Sequence, residues 1–311
     1  MPKHPPIFTA PLGEGRYSLV TVPFEEDGGL DLFAFERLLE EQISAGWSIA
    51  FGFPEGEGLC LSRREYRLLL EDCVQMAQGR VKVLAGCFSG STAEALELGV
   101  IGAEAGADLL FLPPPFGVGR ASGGYFAHLK AVSEVGVPFL CSLPQQSKAR
   151  TAGAFVDPLL LCEETARLPC FAGFLTGELD SAEGGACLAC RPDLSLYLKN
   201  DALLYPALGM GFSGVLSFCA CLLPRQTALL VLEGGKRSQK GAALQRALLP
   251  LCPYLCGEGG GAFLKWGLHK DGRLSPHLRL PQVLPEQRRL CAFERTLLQV
   301  RRAAQLGIRT E

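Results

Sequence analysis

Eight short apolar runs, with helix-like segments between most neighbouring pairs, constrain this chain more than any other feature. They cover residues 17–24, 48–53, 81–87, 108–115, 137–143, 171–176, 194–198 and 214–218. The runs are continuously apolar rather than alternating, which marks strands buried on both faces. No two-residue hairpin signal joins them, so the strands must run parallel with helices as crossovers. Residues 32–42 carry helical apolar spacing, and Ser62 with Glu65 and Ser91 with Glu94 form capping-box patterns that open two more helices. Residues 125–134 and 158–168 also read as helical, and prolines 113–115 close the fourth strand. Beyond residue 224 strand signals stop; residues 225–248 and 285–302 read as helices. The connection around Cys256–Gly261 reads as a flexible turn, because no Lys followed by Ser or Thr comes after it to hold a phosphate.

The expected fold is therefore α/β: a (β/α)8 barrel over residues 1–224, with a helical appendage over 225–311 packed onto it as one structural unit. A doubly wound open sheet would normally show a Gly-rich dinucleotide turn after the first strand, and none is present. Composition agrees with a large core, at 48% hydrophobic and 20% charged residues in 311. The balance of 30 basic against 32 acidic residues gives no reason to expect nucleic acid or an anionic membrane as a partner. No apolar run approaches the roughly 20 residues of a membrane span, and the N-terminus has no signal-like apolar core. Thirteen cysteines, several inside apolar runs (Cys87, Cys141, Cys219, Cys221), fit reduced thiols in a cytoplasmic protein. Cys187 and Cys190 have metal-pair spacing, but only Cys219 and Cys221 are available as partners, so no metal site and no cofactor is expected. None of the four histidines lies at an expected strand mouth, and no hydrolase triad emerges.

Specific segments carry a resemblance. Pro23-Phe24 with Asp27-Gly28, Gly56-Glu57 with Leu61-Ser62, and the run Ser91 to Ala95 occur in order. Ala105 to Asp108, Pro113-Pro114, Asp201 to Leu203, Pro206 to Leu208, Gly214-Val215 and Arg279 to Pro281 follow. Over about residues 15 to 305 the chain resembles the dihydrodipicolinate synthase and N-acetylneuraminate lyase family. The resemblance implies a barrel in which a lysine on strand six forms a Schiff base with pyruvate. It also implies a strand-five tyrosine that relays protons, and two hydroxyl residues that hold the keto-acid carboxylate. Placed on this chain, the lysine position falls on Leu175, the tyrosine on Cys141 (or Ser142, since the spacing slips by one), and the hydroxyl pair on Pro54 and Glu55. A second tyrosine falls on Phe116 and the opening threonine on Val22. Gly56 and Glu57 remain, and Arg150 loosely matches the family's carboxylate-binding arginine.

Leucine offers no nucleophile, and Glu55 brings negative charge toward the expected carboxylate position. The main expectation is a degenerate or ligand-binding homologue, a pseudoenzyme whose mouth is lined by Glu55, Gly56, Glu57, Cys141, Arg150 and Leu175. The alternative is an active carbon–carbon or carbon–oxygen lyase with a rearranged site, using Lys199 at the end of strand seven; against it stands a solvated loop lysine neutralised by Asp201 or Asp193. A third reading makes Glu55 and Glu57 an acid and base pair for other chemistry. The ligand implied is a small keto acid or sugar acid, and the resemblance also implies a homo-oligomer, dimer or tetramer.

Overall fold

The computed structural model describes residues 15–115, 122–142, 163–165, 167–177, 194–257 and 259–309. Among these, eight parallel strands close into a barrel in sequence order, with β8 pairing back onto β1. The strands are β1 Gly15–Leu19, β2 Ser48–Phe51, β3 Val83–Gly86, β4 Leu109–Leu112, β5 Phe139–Ser142, β6 Phe171–Thr176, β7 Ser195–Leu198 and β8 Gly214–Ser217. Between them lie α1 Leu32–Ser44, α2 Arg63–Ala77, α3 Thr92–Ala105, α4 Ser122–Ser133 and α5 Leu204–Gly209. The chain continues through α6 Cys219–Leu222, α7 Pro224–Gly235, α8 Gln239–Leu248, α9 Cys252–Leu255, α10 Gly260–Lys270 and α11 Gln287–Arg309. Among the described residues no helix is long and apolar enough to cross a membrane.

Local chemistry explains most boundaries. The Ser62 hydroxyl accepts from the Glu65 N–H while the Glu65 carboxylate accepts from the Ser62 N–H, the reciprocal box read from the sequence. At α3 only half of that box forms: Ser91 caps Glu94, but the Glu94 carboxylate accepts from the Gly90 N–H instead. The first strand is shorter than expected. Its ladder ends at Leu19, and the extended chain beyond it donates from Val22 N–H to the Gly56 carbonyl, so residues 20–22 support the loop after β2. The run expected to be a flexible turn at 256–261 is also different. Gly259 adopts a left-handed φ of +76°, and Gly260 and Gly261 open α10.

Strand alternation fixes what faces the barrel interior. Leu110 lies against α3: a Cβ on Gly102 would come within 2.7 Å of its side chain. Leu110 therefore points outward, and its neighbour Phe111 points inward. Reading across the register, Leu140, Ser142, Leu175 and Tyr197 share the inward face with Phe111, while Leu112, Cys141 and Phe174 share the outward one. Tyr17 and Tyr197 meet inside at 5.9 Å between ring centroids. Glycine at 214 makes room for the Tyr197 ring, 2.5 Å from where its Cβ would sit. Burial pushes the Tyr197 phenol up to about 12, so it stays protonated at neutral pH.

Gly173 is an irregular point in this lining. The β5–β6 register shifts between Phe139 and Leu140, which leaves Ala172 as an extra residue on β6. Gly173 takes φ +149°, and a Cβ there would overlap the Ser195 carbonyl. Gly173→Ala is expected to cost about 1–3 kcal/mol through backbone strain alone, with the overlap adding to it. Urea denaturation of the variant, read as a lowered midpoint at unchanged slope, checks this.

Candidate functional site

The C-terminal ends of β2, β7 and β8 bring one charged pair into the barrel mouth. After β2 the chain turns through two short 3-10 segments, Pro54–Gly56 and Gly58–Cys60, with Glu57 between them in the left-handed region at φ +64°. Lys199 follows β7 directly, and its backbone N–H donates 2.7 Å to the Thr176 carbonyl at the end of β6. Its ammonium touches the Glu55 carboxylate. It also stands 5.4 Å from the centre of the Phe53 ring and 5.6 Å from that of Phe218. Two aromatic faces and one carboxylate therefore hold the amine, a geometry that restricts its motion and displaces water from its sides. The pair is partly accessible, with side-chain exposure of 21% for Lys199 and 33% for Glu55. The aromatic wall continues inward: Phe53 stacks on Phe111 at 5.4 Å, and Phe88 packs against both.

The other expected site residues take several positions. Leu175 is inward-facing and 3% exposed, opposite Ser142 on one side and Tyr197 on the other. Cys141 needs correction. It registers with Leu112 and Phe174 on the outer face, so its thiol points toward the helices and Ser142 takes the inward position. Gly56 is buried and its carbonyl accepts from Val22, which makes it a support for the loop. Glu57 also faces away from the mouth, 2% exposed and in ion-pair contact with Lys265. Arg150, Asp193, Phe116 and the Cys187–Cys190 pair lie outside the described residues.

Asp201 is not the partner of Lys199. It is buried, where its carboxylate accepts from the Ser217 hydroxyl and, at 2.9 and 3.1 Å, from the Phe218 and Cys219 N–H groups. Burial pushes its carboxyl upward, and these hydrogen bonds pull against that. The result is a rigid clamp that ties the turn carrying Lys199 to the end of β8, and so fixes the Phe218 ring beneath the amine. Glu55, five strands of chain away in sequence, supplies the counter-charge instead.

Sequence reasoning missed the polar network behind the mouth. The Lys265 side chain on α10 is fully buried, contacts Glu57, and donates 2.8 Å to the His277 carbonyl. Arg279 donates from its backbone to Glu57 at 3.1 Å and from its guanidinium to both Glu65 oxygens, at 2.6 and 2.9 Å. Both cations lie over the Phe24 ring, at 4.5 and 4.3 Å. A lysine inside the apolar stretch Gly260–Lys270 was the available signal, since lysine is rarely buried unless paired.

Arg279 holds the Glu65 carboxyl down to about 2, mainly through their hydrogen bonds. A folded value below the ordinary 4.5 gives stability that is present above that pH and lost as pH falls through about 2. Arg279→Met is therefore expected to flatten the decline of the unfolding temperature between pH 4.5 and about 2. A series of thermal melts across that range checks it.

The fold agrees with comparisons to known proteins. Residues 14–300 match the Dihydrodipicolinate synthetase family. A 4-hydroxy-tetrahydrodipicolinate synthase of Nitrobacter hamburgensis is 32% identical over 283 residues, 87% of this chain and 90% of that protein. The enzyme of the same name from Nitrosococcus oceani is 30% identical over 284 residues, 88% of this chain and 94% of its own. Among solved structures, the 4-hydroxy-tetrahydrodipicolinate synthase of Methylacidiphilum fumariolicum superposes with a TM-score of 0.86 at 26% identity, covering 94% of this chain and 98% of that one. The chloride-inhibited dihydrodipicolinate synthase of Acinetobacter baumannii, solved in complex with pyruvate, has the same fold, with a TM-score of 0.84 at 23% identity over 92% of this chain and 98% of that one. With the match running through barrel and appendage alike, this chain belongs to the dihydrodipicolinate synthetase family.

Proposed function

We propose that this protein is a carbon–carbon lyase or aldolase of its family whose imine-forming amine is Lys199, carried on β7 instead of β6. The observation that carries this reading is the position of the Lys199 amine: inside the mouth, against Glu55 and between two aromatic rings. The identity of roughly a third to relatives named as synthases favours catalysis over the degenerate, ligand-binding reading. Pyruvate enters as the first candidate ligand because the Acinetobacter baumannii protein was solved with it.

The chemistry follows from the pair. An ammonium cannot attack a carbonyl, so the proton on Lys199 must first leave, and Glu55 is in contact to receive it. The free amine then adds to the keto carbon, forming a C–N bond as the carbonyl π bond breaks, and a proton passes from the new ammonium nitrogen to the oxygen to give the carbinolamine. Loss of water from this carbinolamine, with a proton returned by Glu55, gives the iminium. The iminium withdraws electrons from the adjacent carbon, whose deprotonation gives the enamine that makes a carbon–carbon bond; the reverse order breaks one. At the iminium stage Glu55 is again a carboxylate in contact with the nitrogen, so its negative charge balances the iminium without any further group. Borohydride reduction in the presence of pyruvate, followed by peptide mass mapping, tests the proposal. An adduct on Lys199 supports it; a chain that stays unmodified returns the protein to the ligand-binding reading.

A further inference from the structure

The Lys199–Glu55 contact depends on a short loop that has little local reason to hold its shape. Pro54–Gly56 is a single 3-10 turn, and the residue after it, Glu57, sits in a left-handed conformation unfavourable for a side chain with a Cβ. Something outside the loop must overdetermine it. Three contacts do so. On the strand side, Gly56 lies against β1's extension, where a Cβ would overlap the Val20 carbonyl. From the appendage, the first turn of α10 leans on the loop so closely that a Cβ on Gly261 would overlap the Glu55 carbonyl. The third is the fully buried contact of Lys265, on that same helix, with the Glu57 carboxylate.

We infer that Lys265 is a positioning residue: through Glu57 it fixes the turn that presents Glu55 to Lys199, which makes the C-terminal appendage part of the site. Lys265 does not reach the mouth. Its ammonium is saturated by Glu57, the His277 carbonyl and the Phe24 ring. Its effect passes along two residues of backbone, from Glu57 to Glu55. Burying an ion pair gives little net stability compared with apolar packing, but a charged pair fixes one register of the loop. Placing this pair directly behind a contact that needs a fixed geometry is what a positioning role requires.

The inference rests on the functional reading above for its catalytic consequence, but not for its structural one. The test uses the paired variant Glu57→Leu/Lys265→Met, which leaves no buried charge, alongside the single variant Glu57→Gln. Each is compared with the natural chain well below its unfolding midpoint. One readout is the rate at which acetic anhydride acetylates Lys199, followed by peptide mass mapping. Loss of the Glu55 contact is expected to raise that rate at least threefold in the paired variant. A change smaller than threefold in the folded paired variant overturns the inference. The second readout is reductive trapping of pyruvate. Its limiting rate is expected to fall at least tenfold while the half-saturating pyruvate concentration stays within twofold, a split that general destabilisation does not produce. If the natural chain traps no pyruvate, the lyase reading fails, and acetylation alone still decides the positioning role. In Glu57→Gln, which keeps a hydrogen-bonding group of the same shape, acetylation is expected to rise less than in the paired variant.

Discussion

Lys199→Met is expected to abolish the borohydride-dependent pyruvate adduct, lowering the trapping rate by at least about 10³-fold, the scale on which loss of a covalent nucleophile acts. Methionine keeps the unbranched length of the side chain, so contacts with the Phe53 and Phe218 rings survive while the nucleophile is lost. Lys199→Arg is the sharper companion. Its cation preserves the pairing with Glu55, and a guanidinium forms no stable imine, so the adduct disappears with the charge still present. Stability changes little in either case, because the pair is partly solvated and such pairs contribute only about 0–1 kcal/mol. Intact-mass spectrometry after reduction measures the adduct, and a thermal melt confirms that the fold persists. An adduct that survives in both variants would place the reacting amine elsewhere.

Lys265→Met has its large effect on stability. Removing the ammonium leaves Glu57, 2% exposed, with no neighbouring lysine, and breaking a buried pair costs about 3–5 kcal/mol. Adding Glu57→Leu is expected to recover most of that loss, since apolar replacement of both partners is often neutral. The pH dependence of the single variant has a definite sign. Burial pushes the Glu57 carboxyl above its ordinary 4.5, and Lys265 is the largest opposing influence in the natural chain. Without it the folded value rises further above the unfolded one. The deficit is then absent below the ordinary carboxylate range and grows as pH rises through the raised folded value. Urea unfolding at several pH values measures both the loss and its slope. In the natural chain burial also pushes the Lys265 ammonium downward, so the two groups share a cost that each one's charge offsets for the other.

Cys141 and Ser142 mark where sequence reading reached its resolution. Continuous apolar strands announce burial on both faces, and burial on both faces erases the alternation that would tell inside from outside. Both residues fit the family position within one step. Only the ladder, with Leu112 opposite Cys141 and Leu175 opposite Ser142, separates them. Glu55 and Glu57 show the same limit in a loop. Two glutamates two positions apart look like a pair, but the left-handed turn at Glu57 sends one toward Lys199 and the other toward Lys265.

The amino-acid sequence by itself determined the eight strands, their order, the capped helices and the helical appendage, because each of these follows from local periodicity and end chemistry within a few residues. Tertiary structure alone decided the charges. The partner of Lys199 lies 144 positions away at Glu55, not two positions away at Asp201, and Lys265 finds Glu57 from a helix that sequence reading left outside the site. Ion pairs form wherever burial leaves a charge without water, and burial is a property of the closed barrel rather than of any segment within it.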